Sequence, residues 1–200
     1  MTLAEVFHGR AIAGRRVRVL AGHAAERLPA GARVLDVGAG DGRLAAEVAR
    51  LRPDVTMRGT DVLVRAGAPV PIEPFDGKRL PAADGAYDAA LLIDVVHHAD
   101  DPLALLRETA RVARRIVIKD HLVEGWAAVP VLSFMDRVGN ARYGVALPHT
   151  YWTRAQWREA LEALGLEARD WSERLGLYPP PVSWVCERSL HFVASFVPRP

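Results

Sequence analysis

Two hundred residues, half of them apolar and a quarter charged, suit one domain with a sizeable core and leave a second full domain cramped. A formal net charge of +2, carried almost wholly by Arg with Lys only at 78 and 119, supplies no strong field for nucleic acid or an anionic membrane. A single cysteine, Cys186, excludes an internal disulfide, no apolar run is long enough to span a bilayer, and Arg10, Arg15, Arg16 and Arg18 interrupt any apolar leader, so a cytoplasmic protein is expected.

Taken in chain order, Val6, Ile12, Val17, Leu20, Ala24 and Leu28 recur at helical spacing and predict one or two amphipathic helices over 3–28, closed by Pro29-Ala30-Gly31. Residues 1–30 then form an N-terminal helical cap on a single domain spanning 1–200. The run Arg33–Val37 is short, β-branched and stopped by glycines, which predicts a buried strand. Helical spacing resumes from Leu44 to Leu51 and ends before Pro53. Thr56–Thr60 reads as a second strand. Val70–Phe75 reads as a weak third one at an edge, because its prolines cannot donate to a central ladder. Asp88–Ile93 has the composition of a strand covered on both faces. Asp101-Pro102 starts a helix carrying Leu103, Leu106 and Val112, and Arg115–Ile118 is another buried strand. The rhythm breaks from His121 to Thr150, too long for an ordinary connection, with one helical piece at Val131–Val138. Thr153 is placed to cap a helix over Arg154–Leu164, with Gly165 at its end. Leu166–Trp171 and Ser189–Phe196 complete the strands, around a rigid Pro179–Pro181 loop. Cys186, beside Trp184 and Val185, reads as a small buried hydrophobe. This alternation predicts an α/β fold with right-handed crossovers and a mostly parallel sheet.

The first strand leads into Gly38-Ala39-Gly40-Asp41-Gly42 and then into a helix. Small residues let the backbone turn sharply and let a ligand approach its amides, while the helix N-terminus offers N–H groups and a partial positive charge. Such a loop suits any nucleoside cofactor. Three details narrow it. The spacing is G-x-G-x-G and not G-x-G-x-x-G; Asp36 lies two residues before the first glycine; and Asp61 ends the second strand roughly twenty residues on, where a carboxylate can accept hydrogen bonds from a ribose diol.

With those residues in place, 33–121 resembles the class I S-adenosylmethionine-dependent methyltransferases of the small-molecule type, with four motifs in register. Val34–Gly42 looks like the family's first motif, which puts Asp36, Gly38, Ala39 and Gly40 at the methionine portion of the cofactor. Asp61 falls on the ribose-binding acid, with Val62 next to it against the adenine. Asp76-Gly77, just before Leu80-Pro81, looks like the acid that meets the adenine amine. Asp94 to His98, followed by Asp101-Pro102, resembles the segment that closes over the methionine end. The resemblance implies a Rossmann-like three-layer sandwich with a seven-stranded, mostly parallel sheet whose last strand, Ser189–Phe196, is antiparallel. It implies S-adenosylmethionine as cofactor, S-adenosylhomocysteine as product, and 121–152 as an acceptor-side insertion.

Acceptor-side candidates each carry a structural alternative. His97 and His98 follow the fourth strand; either can act as a general base, or cap the next helix, or shield the cofactor, with His98 the better packer. Asp120 and His121 end the fifth strand on the ligand-facing rim. The carboxylate can raise the histidine's basicity, yet neighbours on a strand point to opposite faces and need not touch. Asp136 and Asn140, four apart, share a helix face and suit a pocket, or equally a surface acid and a C-cap. Tyr143 and Tyr151, with Val131, Leu132, Phe134, Met135 and Trp152, form either core or an apolar acceptor pocket. No metal site is expected, since the histidines lack H-x-x-x-H spacing; His97, His98 and Asp120 are the set that folding can gather.

The function expected is in-line methylation of a small, partly apolar molecule by a monomer or homodimer. RNA methylation is the alternative within the class. It is opposed by Asp94-Val95-Val96-His97 where N/D-P-P-Y would stand, and by the lack of a basic stripe. A non-catalytic cofactor-binding protein is the alternative outside it.

Overall fold

Apolar alternation along five central strands organises the chain, seen in a computed structural model that describes residues 3–140, 150–187 and 189–199. Helix α1 (Leu3–Arg27) precedes β1 (Arg33–Val37), α2 (Arg43–Leu51), β2 (Thr56–Asp61), β3 (Ile72–Pro74) and β4 (Ala89–Ile93). A 3-10 turn (Val96–His98), α3 (Pro102–Val112), β5 (Ile116–His121), α4 (Ala128–Asn140), α5 (Arg154–Ala163), β6 (Leu166–Ser172), α6 (Ser183–Cys186) and β7 (His191–Pro198) follow.

The seven strands form one sheet in the order β3-β2-β1-β4-β5-β7-β6. The first five pair in parallel, and β7 runs antiparallel between β5 and β6. Strand side chains alternate between two cores, as the two-residue period demands. Leu35, Val37, Ala90, Leu92, Ile116 and Ile118 pack with Leu105 and Leu106 of α3 and Trp157 and Leu161 of α5. Val34, Ala89, Leu91 and Val117 pack on the other face with Leu20, Ala21 and Ala24 of α1 and Ala45 and Val48 of α2. Three layers result, with the predicted fold class and the predicted antiparallel last strand.

Local signals account for the helix ends. Asp101 accepts from the Ala104 N–H at 2.9 Å, and Thr153 forms a capping box with Gln156 over α5. The prolines of the third strand do sit at an edge, where β3 shortens to three residues.

Several boundaries differ from the sequence reading. α1 takes the one-helix alternative despite Gly14 and Gly22, with Leu20, Ala21 and Ala24 burying a stripe that Leu28 continues just past its end. α4 begins three residues before Val131. α6 carried no periodic signal at four residues, and it leaves Cys186 half-buried with Trp184 64% exposed, so Cys186 is not the buried hydrophobe expected. Ser189, at φ 55°, lies outside β7. Tyr143 and the side chains of Val6, Ile12 and Asn140 lie outside the described residues. Among the described residues no helix is long and apolar enough to cross a membrane.

Candidate active site

The carboxyl ends of β1, β4 and β5 carry two adjoining features, a glycine loop and a polar cavity. In the loop, the Gly38 and Ala39 N–H groups donate to the Thr60 carbonyl at 2.8 and 3.1 Å, tying the turn to β2. The Gly40 N–H donates to Asp61 Oδ2 at 2.7 Å and the Leu63 N–H to Asp61 Oδ1 at 2.8 Å. Asp61 therefore clamps the loop. Gly38 has φ 73°, and a Cβ there would lie 2.6 Å from Val95 Cγ2, so only glycine fits this turn. Asp36 stands beneath the loop at the end of β1. It is 2% exposed, and its Oδ2 has no hydrogen-bond partner. Burial, and then the Asp61 charge, push its carboxyl up to about 7. Val62 is exposed on the rim, and a Cβ on Gly77 would touch its Cγ1 at 3.5 Å, so the Asp61–Val62 and Asp76–Gly77 segments are neighbours. Asp76 accepts from the N–H groups of Lys78 and Arg79, both at 2.8 Å, which shapes that turn.

The cavity, of about 190 Å³, is lined by Arg16, Asp94, His97, His98, His121, Met135 and Asp136. Strand alternation explains its two sides. Asp120 lies in the phase of Ile116 and Ile118 and turns under the 3-10 turn; its Oδ1 pairs with His97 Nδ1 at 2.6 Å, and its Oδ2 accepts from the Val96 N–H at 3.0 Å. Lys119 and His121 lie in the phase of Val117. His121 Nδ1 sits 3.0 Å from Nδ1 of His191, its register partner on β7. Lys119, fully buried, donates from Nζ to Asp94 Oδ1, and Arg16 of α1 donates to Asp94 Oδ2 at 2.8 Å and to the Tyr178 hydroxyl at 2.8 Å. From α4, Asp136 brings Oδ2 to 3.6 Å from His97 Nε2 and Oδ1 to 3.4 Å from His121 Nε2, while the Tyr151 hydroxyl donates to Asp136 Oδ2.

Charge sets the protonation in this cluster. Burial opposes ionisation of Asp94, but Lys119 and Arg16 outweigh it and hold the carboxyl well below its ordinary range. Burial likewise works against a charged His97, and the Asp120 carboxylate beside Nδ1 reverses the balance, raising it. Burial and the neighbouring His97 push His98 down to about 4. Burial and Lys119 lower His121, whereas Asp136, despite burial, is drawn down to about 2 by His121.

Most residues singled out by sequence meet here. His97, His98, His121 and Asp136 share the cavity with Asp94, and Asp120 and Tyr151 orient them. Asp120 pairs with the ring of His97 rather than that of His121, to which it offers only a backbone hydrogen bond at 2.7 Å. Of the apolar residues proposed to wall an acceptor pocket, Met135 alone lines the cavity among the described residues; Leu132 is core and Phe134 is exposed. Arg16, Lys119, Tyr178 and His191 were missed. Lys119 had a signal, one of only two lysines in an arginine-rich chain and set in an apolar strand; the other three had none.

A glycine loop clamped by an acid, at the carboxyl ends of a parallel sheet closed by an antiparallel last strand, defines a class I methyltransferase fold. A family profile described as a methyltransferase domain matches residues 9–170, and the chain belongs to that family of S-adenosylmethionine-dependent enzymes. Among curated relatives, an uncharacterized methyltransferase of Mycobacterium sp. (strain JLS) is 37% identical over 98 residues, 46% of this chain and 38% of that protein. The methyltransferase GfsG of Streptomyces halstedii is 35% identical over 112 residues, 48% of this chain and 40% of that one. The matched stretch thus spans about two fifths of each relative. Among solved structures, a chain in the complex of the Haloferax volcanii Trm112 methyltransferase activator with a methyltransferase superposes with a TM-score of 0.70 at 17% identity, covering 96% of this chain and 93% of that chain.

Proposed function

We propose that the chain is a single methyltransferase domain that binds S-adenosylmethionine across the glycine loop and methylates a small molecule seated in the adjoining polar cavity. The observation carrying this reading is Asp36: a buried carboxyl oxygen without a partner, under a loop that admits no side chain at Gly38, is suited to a ligand that brings its own donor. Gly38, Ala39 and Gly40 present backbone to the methionine portion beside Asp36. Asp61 retains lone pairs for the ribose diol while it holds Gly40, Val62 packs on the adenine, and Asp76 with Gly77 meets its amine. Asp94 closes the methionine end. The bound cofactor supplies a methyl group on a sulfonium, an electrophile that needs alignment and exclusion of water more than it needs a strong nucleophile.

Residues 121–152 form the acceptor side, and α1, through Arg16, covers it. His97, held by Asp120, and His121 present ring nitrogens to the acceptor atom; His98 packs beside them, and Asp136 with Tyr151 completes the described part of the wall. A cavity of about 190 Å³ lined almost wholly by polar groups suits a small acceptor entering by a hydroxyl or amine end. The net charge of +2 favours such a molecule over RNA.

Calorimetry tests the cofactor half: saturable binding of S-adenosylmethionine and S-adenosylhomocysteine is expected, and NAD binding without either would refute it. Acceptor-dependent release of S-adenosylhomocysteine across a panel of small hydroxyl and amine compounds tests the other half.

A further inference from the structure

The hydrogen-bond chains around the cavity fix which ring nitrogens are already engaged, and the nitrogens left over converge on a carboxylate. Nδ1 of His97 donates to a carboxylate oxygen of Asp120 at 2.6 Å, so Nε2 is the ring nitrogen left to face the cavity. That Nε2 is buried, has no hydrogen-bond partner, and faces Asp136 Oδ2 at 3.6 Å. A second chain fixes His121. The Cys186 carbonyl, 2.8 Å from His191 Nε2, only accepts, so His191 donates there. His191 is fully buried and makes no ion pair among the described residues, so its ring is neutral and its Nδ1 is an acceptor. His121 therefore donates from Nδ1 across the 3.0 Å contact, and its Nε2 faces Asp136 Oδ1 at 3.4 Å. Two imidazole Nε2 atoms and a carboxylate so meet at one wall of an open cavity, where a cation would displace the protons held there.

We propose that this wall is a site for a divalent first-row transition cation, held by Nε2 of His97, Nε2 of His121 and the carboxylate of Asp136. Each Nε2 thus has an Asp136 oxygen at ligand-to-ligand spacing, Oδ2 at 3.6 Å from His97 and Oδ1 at 3.4 Å from His121, against roughly 3.4 Å between neighbours in a tetrahedral sphere with metal–ligand bonds of about 2.1 Å. Each ligand has an outer partner that aims it: Asp120 for His97, His191 for His121, Tyr151 for Asp136. Donor atoms of His97, Asp120 and His121 also lie within 4.8 Å of one another. Asp120, however, sits behind the His97 ring, where it accepts from His97 Nδ1 and from the N–H groups of His121 and Val96, whereas Asp136 lines the cavity, which makes Asp120 an orienting group and Asp136 the carboxylate ligand. Two imidazoles and one carboxylate favour zinc or cobalt over magnesium or calcium. Three protein ligands leave a position facing the cavity. Resting on the methyl-transfer reading, that position takes an acceptor hydroxyl: the cation lowers the hydroxyl pKa, the proton passes to solvent, and the oxygen is held as its anion. The acceptor class is then an alcohol, phenol or enol.

The test needs no acceptor. The full chain is treated with chelator and titrated with zinc chloride by calorimetry, and with cobalt chloride by visible absorption. Expected are one saturable equivalent, d–d bands of low-coordinate cobalt, and zinc-induced shifts of the His97 and His121 ring resonances that are largest at Nε2. His97→Gln and Asp136→Asn should each weaken binding at least about tenfold, and Asp120→Asn about ten- to a hundredfold, with S-adenosylhomocysteine binding retained as the check on folding. No saturable zinc binding, or binding that survives in both ligand variants, would overturn the site. Should a variant not fold, the imidazole resonances of the unmutated protein decide alone. Failure of S-adenosylhomocysteine to bind the unmutated protein would count against the methyl-transfer reading and leave the metal result standing.

Discussion

Replacing Asp36 with Asn alters the charge under the glycine loop while keeping its shape. In the folded chain burial and the nearby Asp61 push this carboxyl from 3.8 up to about 7. The sign follows from where the proton sits. Between about pH 4 and about pH 7 the unfolded chain releases it while the folded chain keeps it, so rising pH favours unfolding. Stability linked to Asp36 is complete below the unfolded pKa and is lost as pH rises through the folded one. A gap of about three pH units at about 1.4 kcal/mol each gives a loss of roughly 4 kcal/mol. The Asn variant has no such proton, so its stability relative to the unmutated protein should grow with pH by up to about that amount and level off above about pH 7. Urea unfolding of both proteins without cofactor, from about pH 4 to about pH 9, measures this. A difference that stays constant across the range would refute the placement of Asp36. Cofactor binding gives a second readout. An ammonium donated to Oδ2 stabilises the anion, so binding near neutral pH should release a proton, seen as a buffer-dependent calorimetric enthalpy in the unmutated protein and absent in the variant.

Asp61→Ala removes the clamp on Gly40 and Leu63 together with the proposed ribose contacts, so the dissociation constant for S-adenosylmethionine should rise about ten- to a hundredfold, or roughly 1.5–3 kcal/mol; an unchanged constant by calorimetry would place Asp61 elsewhere. Gly38→Ala adds left-handed strain of about 1–2 kcal/mol to a collision with Val95, and should lower the thermal midpoint. Adding Val95→Ala should relieve the collision but not the strain, so a complete rescue, or none, would contradict that division. Asp120→Asn must turn its amide NH₂ toward the N–H of either Val96 or His121, leaving a buried donor unmet at about 1–3 kcal/mol; urea unfolding indistinguishable from the unmutated protein would mean these bonds do not hold the carboxylate.

What was legible in the sequence follows from how locally it is encoded. The glycine loop is built from neighbours, Asp36 through Gly42, and β1, β4 and β5 announce themselves by apolar runs covered on both faces, so cofactor half and sheet could be read directly. The cavity is lined from α1, the turn after β4, the 3-10 turn, β5 and α4, and a sequence shows residue types there without partners. Asp120 and His121 make the point. Alternation says that they diverge, but only the β5–β7 register, His121 opposite His191, and the 3-10 turn folding His97 over Asp120, say what each meets. Arg16 was indistinguishable from Arg15 and Arg18 because its role depends on which side of α1 faces the strand ends.

Asp94 joins the two halves, and its backbone shows the strain of doing so. At φ 59° it occupies a conformation that costs a residue with a Cβ roughly 1–2 kcal/mol, yet it is held there by its N–H to the Lys119 carbonyl at 2.9 Å and by carboxylate contacts to Lys119 and Arg16. Its successor Val95 fills the space that Gly38 leaves, while its own side chain lines the cavity opposite His121 at 3.8 Å. A buried lysine would be expensive without that acid, and the acid would be strained without that lysine, so neither can be exchanged alone. The turn after β4 therefore fixes the distance between the glycine loop and the histidine cluster, and alignment across that distance is what methyl transfer demands of a protein.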